Sequence, residues 1–149
     1  MSETVWQFEY SVETSASPAF AWRYWTDVGN WVDPPARFAL EGVFDTGSRG
    51  TTFIPGQEPL QWVIEEVQPG RSARIRMQLD RAAFFFEWRF EEASERRTRL
   101  TQRVTLTGDN REAYAQGVQV FQANLPGGMK KMAAAMALAE AAEAAEATR

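Results

Sequence analysis

Gln102 is the residue of this sequence whose type is hardest to reconcile with its neighbours. It lies between Leu100 and Val104 in an alternating run and takes the register where an apolar side chain is expected. Burying an amide is unfavourable unless it finds hydrogen-bond partners. Either it orients a ligand's carbonyl or hydroxyl, or it bonds to a neighbouring side chain or a buried water. Tyr10 and Tyr114 raise the same question more weakly, since a tyrosine hydroxyl reaches the rim of a cavity from an apolar position.

Other reactive chemistry is sparse. The chain has no His and no Cys, which excludes disulfides, thiol nucleophiles, Ser-His-Asp triads and the usual Cys/His zinc sites. A general acid or base must therefore be Asp, Glu, Tyr, Lys or a bound water. No DxDxDG-type loop is present, and neither a metal nor a cofactor is expected. Asp27 and Asp33 could flank a pocket mouth, but Asp27 reads as a helix cap and Asp33 as a turn residue before Pro34. Glu65-Glu66 and Glu91-Glu92 are adjacent pairs, expected on opposite faces of a strand. Arg74, Arg76, Arg89, Arg99 and Arg103 take the outward register and read, with Glu87, as a solvated cross-strand charged face. The catalytic residues, if any, stay unknown.

These side chains sit in a chain of 149 residues, one ordinary domain in length, read as a single unit over 1–149. With 44% hydrophobic and 13% aromatic residues, it carries six Trp and ten Phe, types that fill cores and also line ligand pockets. A net charge of −4 argues against a nucleic-acid partner. No run approaches the ~20 apolar residues of a membrane span. The start, MSETVWQFEY, lacks the pattern of a signal peptide. A cytoplasmic location is the expectation, and the oligomeric state stays open.

The order of patterns supplies the scaffold. Residues 4–14 alternate as a strand with Trp6, Phe8, Tyr10 and Val12 on one face. Ser17 then caps a helix with Pro18 at its first position, running to about Thr26, and Asp27 caps a second short turn ended by Pro34-Pro35. Six strand-like runs follow. Their inward residues are expected to be Phe38, Leu40, Gly42 and Phe44, then Thr51, Phe53 and Pro55. Next come Leu60, Trp62 and Ile64; Ala73, Ile75, Met77 and Leu79; Phe84, Phe86, Trp88 and Phe90; and finally Leu100, Val104 and Leu106. Short connections make this an antiparallel meander with one wet face. From Asn110 the period becomes helical: Tyr114, Val118, Phe121, Leu125, Met129, Met132 and Met136 form one stripe. Pro126-Gly127-Gly128 predicts a bend within it, either as a gate or as a close approach of backbone to sheet. The Ala- and Glu-rich tail is expected to fray.

At SPAFAWRYWTDVGNW, F-x-L-x-G-x-F-x-x-G-x-x-G, W-x-I-x-E-V-x-P-G-R and LPGGMKKM, the chain resembles the START-related helix-grip superfamily. Within it, the likeness is to polyketide cyclase/dehydrase-like and lipid-transport-like proteins, a group sharing the plant pollen-allergen fold. The resemblance implies an α+β domain: a curved seven-stranded antiparallel sheet wrapped around a long C-terminal helix, two short helices after the first strand, and a cavity between. It carries over no catalytic set.

The function this suggests is binding of a small hydrophobic molecule, polyketide-, lipid- or sterol-like. Trp25 from the short helix, Phe53, Trp62, Phe86 and Trp88 from the sheet, and Tyr114, Phe121, Leu125 and Met129 from the long helix would form walls, with Gln102 orienting. Methionines suit varied ligand shapes. A cyclase/dehydratase-like enzyme acting mainly by positioning is the first alternative. A co-chaperone-like interaction module with a filled core is the second.

Overall fold

The computed structural model describes residues 6–148. Residues 4 and 5 of the expected first strand therefore lie outside the described part. Strand β1 (Trp6–Thr14) is followed by helix α1 (Pro18–Trp25), a single 3-10 turn (Val28–Asn30), and strands β2 (Arg37–Leu40) and β3 (Arg49–Phe53). Strands β4 (Leu60–Gln68), β5 (Ser72–Leu79), β6 (Ala82–Glu92) and β7 (Thr98–Thr107) come next, and helix α2 (Ala115–Ala147) ends the chain. Among the described residues, the seven strands form one antiparallel sheet in the order β1-β7-β6-β5-β4-β3-β2. No helix there is long and apolar enough to cross a membrane.

The local causes are legible. The Ser17 side chain accepts the Phe20 N–H at the start of α1, and Pro18 occupies a first-turn position whose N–H has no helical partner. Asp27 accepts the Gly29 N–H and opens the 3-10 turn. On the sheet's apolar face, Ile64, Ile75 and Leu100 are buried in one cluster with Leu125, Met129 and Met136 of α2. The helix therefore lies on that face, running closest to β1.

Four expectations need correction. β2 stops at Leu40, because Gly42 turns the chain at φ +75°; Phe44 reaches the interior from a loop instead. β3 takes the opposite register from the expected one. Gly50 and Thr52 face inward and Phe53 faces out at 36% exposure, beneath the Arg37 guanidinium. Trp62 sets this register: its indole covers Gly50, where no side chain fits, and its Nε1–H donates to Thr52 Oγ1 at 3.1 Å. A bulge between Ile64 and Glu66 in β4 inserts an extra residue. It leaves Glu65 and Glu66 both on the outer face rather than on opposite ones: Glu65 pairs with Arg74 and Arg76, and Glu66 lies across from Arg74.

The tail is the fourth. It is helical to Ala147 and tied down: Ser17 N–H donates to Glu140 Oε2 at 3.0 Å, and Arg23 bridges Glu143 at 2.7 Å. α2 is assigned helix without interruption through Pro126. Gly127 and Gly128 are exposed, and a Cβ on either would meet only open space. Close approach of the backbone to the sheet is thus not their purpose.

Candidate functional site

The apolar face of the sheet is built in rows of cross-strand neighbours. Phe8, Val104, Phe86, Ile75 and Ile64 form one, and Tyr10, Gln102, Trp88, Ala73 and Val67 the next. Val12, Leu100 and Phe90 follow beside them. Two different environments cover these rows.

Over Trp88 and Phe90, helix α1 lowers Trp25, only 1% exposed. Its ring lies 5.1 Å from Trp88, 5.4 Å from Phe90, 5.0 Å from Phe44 and 5.6 Å from Trp31, in the tilted and edge-on geometries that aromatic pairs prefer. Trp31 stacks on Trp62 at 5.5 Å and donates its Nε1–H to the Trp25 carbonyl at 2.7 Å. This half of the interior is filled with rings. Trp25 and Trp88, and Trp62 at its margin, are packed into a core.

Over Phe8 and Phe86, helix α2 sets Phe121, with ring centroids at 6.1 and 5.6 Å. Phe8, Tyr10, Phe86, Phe121 and Met77 face inward yet remain only half-buried. Trp22, Trp31, Phe38 and Phe44 around α1 are likewise half-buried, so the two halves share one partly exposed rim of rings. Leu125 and Met129 are buried in the main core cluster.

Gln102 stands in the middle row at 7% exposure. Among the described residues its amide has no hydrogen-bond partner, and neither has the Tyr10 hydroxyl beside it. The rest of those nominations come apart. Tyr114 belongs to a smaller cluster with Ala82, Leu106 and Val118, and its hydroxyl accepts the Asp80 N–H at 3.1 Å. It staples the start of the C-terminal helical segment to the β5–β6 turn instead of joining the main core. Phe53 is on the outer face. Asp27 is a cap, and Asp33 is exposed in a bridge to Ala36. The arginines lie on the wet face in pairs with Glu9, Glu13, Glu65 and Glu87, at 3.0–3.9 Å.

The described surface includes two open recesses. One, of about 310 Å³, lies between the end of β1 and α2, at Val12, Thr14, Arg97, Lys130 and Ala133. The other, of about 470 Å³, lies between α1 and the β2–β3 loop, at Arg23, Asp27, Val28, Phe38 and Phe44. Neither is lined by the wall residues expected from sequence. The inner surface also includes Trp31, Phe44 and Phe90. Phe90 could be read from the alternation of β6, but Phe44 lies past the end of a strand and carries no periodic signal.

The profile of the polyketide cyclase/dehydrase and lipid transport family matches residues 5–146, so the chain belongs to that family. No curated protein matches its sequence significantly. Among solved structures, it is similar to the aromatase/cyclase ZhuI of Streptomyces sp. R1128 (15% identity, TM-score 0.71, covering 89% of this chain and 94% of that one). It is also similar to norcoclaurine synthase of Thalictrum flavum bound to dopamine and hydroxybenzaldehyde (12% identity, TM-score 0.70, covering 91% and 88%). The two-domain aromatase/cyclase StfQ of the steffimycin biosynthetic pathway aligns at 19% identity and TM-score 0.71, with 93% of this chain matching 52% of that one. At these identities the likeness is one of fold.

Proposed function

We propose that this member of the family binds a small, largely apolar molecule between the sheet and α2. The ligand space is the half roofed by Phe121, with Phe8, Phe86 and Met77 as walls and Gln102 as the orienting group. The observation that carries the reading is Gln102 in the inward register between apolar rows, with no hydrogen bond to another described side chain or backbone group. An inward amide without a protein partner suits a ligand oxygen or a water. Family membership and the aromatic-handling proteins that share the fold support the same ligand class.

An enzyme needs a titratable group aimed at the ligand. Of the groups nominated from sequence, Tyr114, Asp27 and Asp33 are committed elsewhere, and Tyr10 alone faces inward without a partner. This favours a carrier over a cyclase. The interaction-module alternative wants one contiguous exposed apolar patch, whereas the exposed Val32, Val43, Phe53, Val120 and Leu138 fall on separate loops and elements.

Uptake is assigned to the Pro126-Gly127-Gly128 segment. Beyond it, α2 is held by Thr14 Oγ1–H to the Ala133 carbonyl, by Glu140 and by Glu143; before it, by Leu125, Phe121 and Val118 in the core and, just ahead of α2, by the Asp80 N–H to the Tyr114 hydroxyl. Opening at this segment would require the N-terminal half to release those apolar contacts and pivot about the Tyr114 tie while the C-terminal half stays docked. Native mass spectrometry and thermal shifts with a panel of hydrophobic ligands test the binding reading. Failure of every ligand to bind or stabilise the protein would defeat it.

A further inference from the structure

We propose that the open recess between the end of β1 and α2 is an anion site, taking the phosphate or carboxylate group of a small aliphatic molecule between Arg97 and Lys130. It is separate from the ligand space above: neither Phe86 nor Phe121 nor Gln102 lines it. The recess measures about 310 Å³, at the small end of the ~300–1,000 Å³ range of ligand sites. One wall is a single face of α2, where Lys130, Ala133, Ala134 and Ala137 recur at helical spacing. The other wall is the chain from Val12 to Ser15. Thr14 Oγ1–H donates to the Ala133 carbonyl at 2.7 Å and fixes the two walls to each other. Beyond Lys130, α2 presents only methyl groups to the recess, and these leave the space open.

Charge sets the class of occupant. Lys130 makes no ion pair with any described residue. Arg97 pairs with Glu13 through its Nε at 3.1 Å. The second oxygen of the same carboxylate meets Arg99 at 3.6 Å. Glu13 is the only acid lining the recess, and two guanidinium groups already share it. Glu91 stands across from Arg99 on β6 without bridging it. Positive charge therefore gathers here in a chain whose net charge is −4. The terminal nitrogens of Arg97 form a fork suited to two oxygens of one anion, and Lys130 adds a point charge from the α2 wall.

The connection that delivers Arg97 is bent against local preference. Glu95 and Arg96 both hold the left-handed conformation, at φ 60° and 63°, which a residue with a Cβ disfavours. Ala93 N–H closes the turn on the Arg97 carbonyl at 2.7 Å. Two strained residues in succession, with no glycine, set Arg97 at the recess. Val12 and the alanines supply an apolar surface for a short carbon chain.

Butyl phosphate, butyrate and butanol serve as probes, with binding located by backbone amide NMR shifts. Both anions should move the amides of Thr14, Ser15, Ala133 and Ala137, and butanol should not. With two cations facing it, the phosphate should bind tighter than butyrate; the reverse order would name a carboxylate as the ligand group. Lys130→Gln and Arg97→Gln should each weaken butyl phosphate roughly fivefold, the upper range for an exposed charge pair. Lys131→Gln is the control, because this neighbouring lysine is exposed but does not line the recess. Its loss should change affinity less than about twofold, since charges at a distance in water are screened. Ala134→Leu keeps every charge and suits a helix, yet fills the recess, so it should abolish the shifts.

Equal losses from Lys130→Gln and Lys131→Gln would mean general attraction to a cationic surface and overturn the proposal. So would butanol binding as well as butyl phosphate, or anion binding that survives Ala134→Leu. Should Arg97→Gln fail to fold, Lys130→Gln and Ala134→Leu decide the matter. If neither anion moves these amides, the recess is not an anion site, whatever binds beneath α2.

Discussion

Gly50 has no side chain because the Trp62 indole already fills the space one would need. Gly50→Ala must displace a buried ring that is itself held by Thr52, so it should destabilise the protein by about 1–3 kcal/mol. Urea unfolding midpoints check this, and a neutral effect would mean Trp62 can be moved freely. Trp25 is the opposite case, a large ring in contact with rings on every side. Trp25→Ala should lose about 3–5 kcal/mol, the range for truncating a buried aromatic. A loss below about 1 kcal/mol would show that the surrounding rings collapse onto the site and are not a rigid core. Phe86 and Phe121, being half-buried, should tolerate truncation better while losing more ligand affinity. That contrast separates core from wall.

At the level of elements, α2 decides most. Pro126 removes one helical donor, and Gly127 and Gly128 each weaken the helix by about 1 kcal/mol relative to alanine. Both glycines face open space, so Gly127→Ala and Gly128→Ala should each stabilise the protein by up to about 1 kcal/mol. If the segment is the gate, the same variants should slow ligand uptake and release in stopped-flow fluorescence. Stabilisation with unchanged exchange rates would refute the gate. The Arg23–Glu143 bridge is exposed at both ends, so Glu143→Gln should change stability by less than about 1 kcal/mol. The buried tie from Thr14 to the Ala133 carbonyl should matter more, because its loss leaves a buried group unpaired.

For the molecule as a whole, the division of the interior is the central property. Under α1 the sheet is covered by clustered Trp and Phe rings, and under α2 by Phe121, Leu125 and Met129. Such a protein should be stable without ligand and gain stability with it. At a ligand concentration a hundred times Kd, the gain is about 2.7 kcal/mol. At about 2–4 °C per kcal/mol for a chain of this size, Tm should rise by roughly 5–10 °C. A flat melting temperature at saturation would contradict differential binding to the folded state.

Much of this architecture was readable before any coordinates. Alternation in β1, β5, β6 and β7, the Ser17-Pro18 start of α1, the Asp27 cap and the stripe from Val118 to Met136 all depend on local spacing, and each stands where the spacing puts it. The inward amide at Gln102 was legible for the same reason: register is a two-residue repeat. Where a neighbour in space overrides the local pattern, the sequence could not decide. Phe53 looks inward by alternation, but the bulk of Trp62 on the next strand permits only Gly50 and Thr52 beneath it. The β4 bulge moved Glu65 outward to meet Arg74 and Arg76, and a hydrogen bond to the distant Asp80 holds Tyr114 in the smaller cluster. Sequence alone determined which residues could turn inward. Which of them pack against one another was decided only when α1 and α2 laid their rings across the sheet, because packing is a property of side chains far apart in the chain.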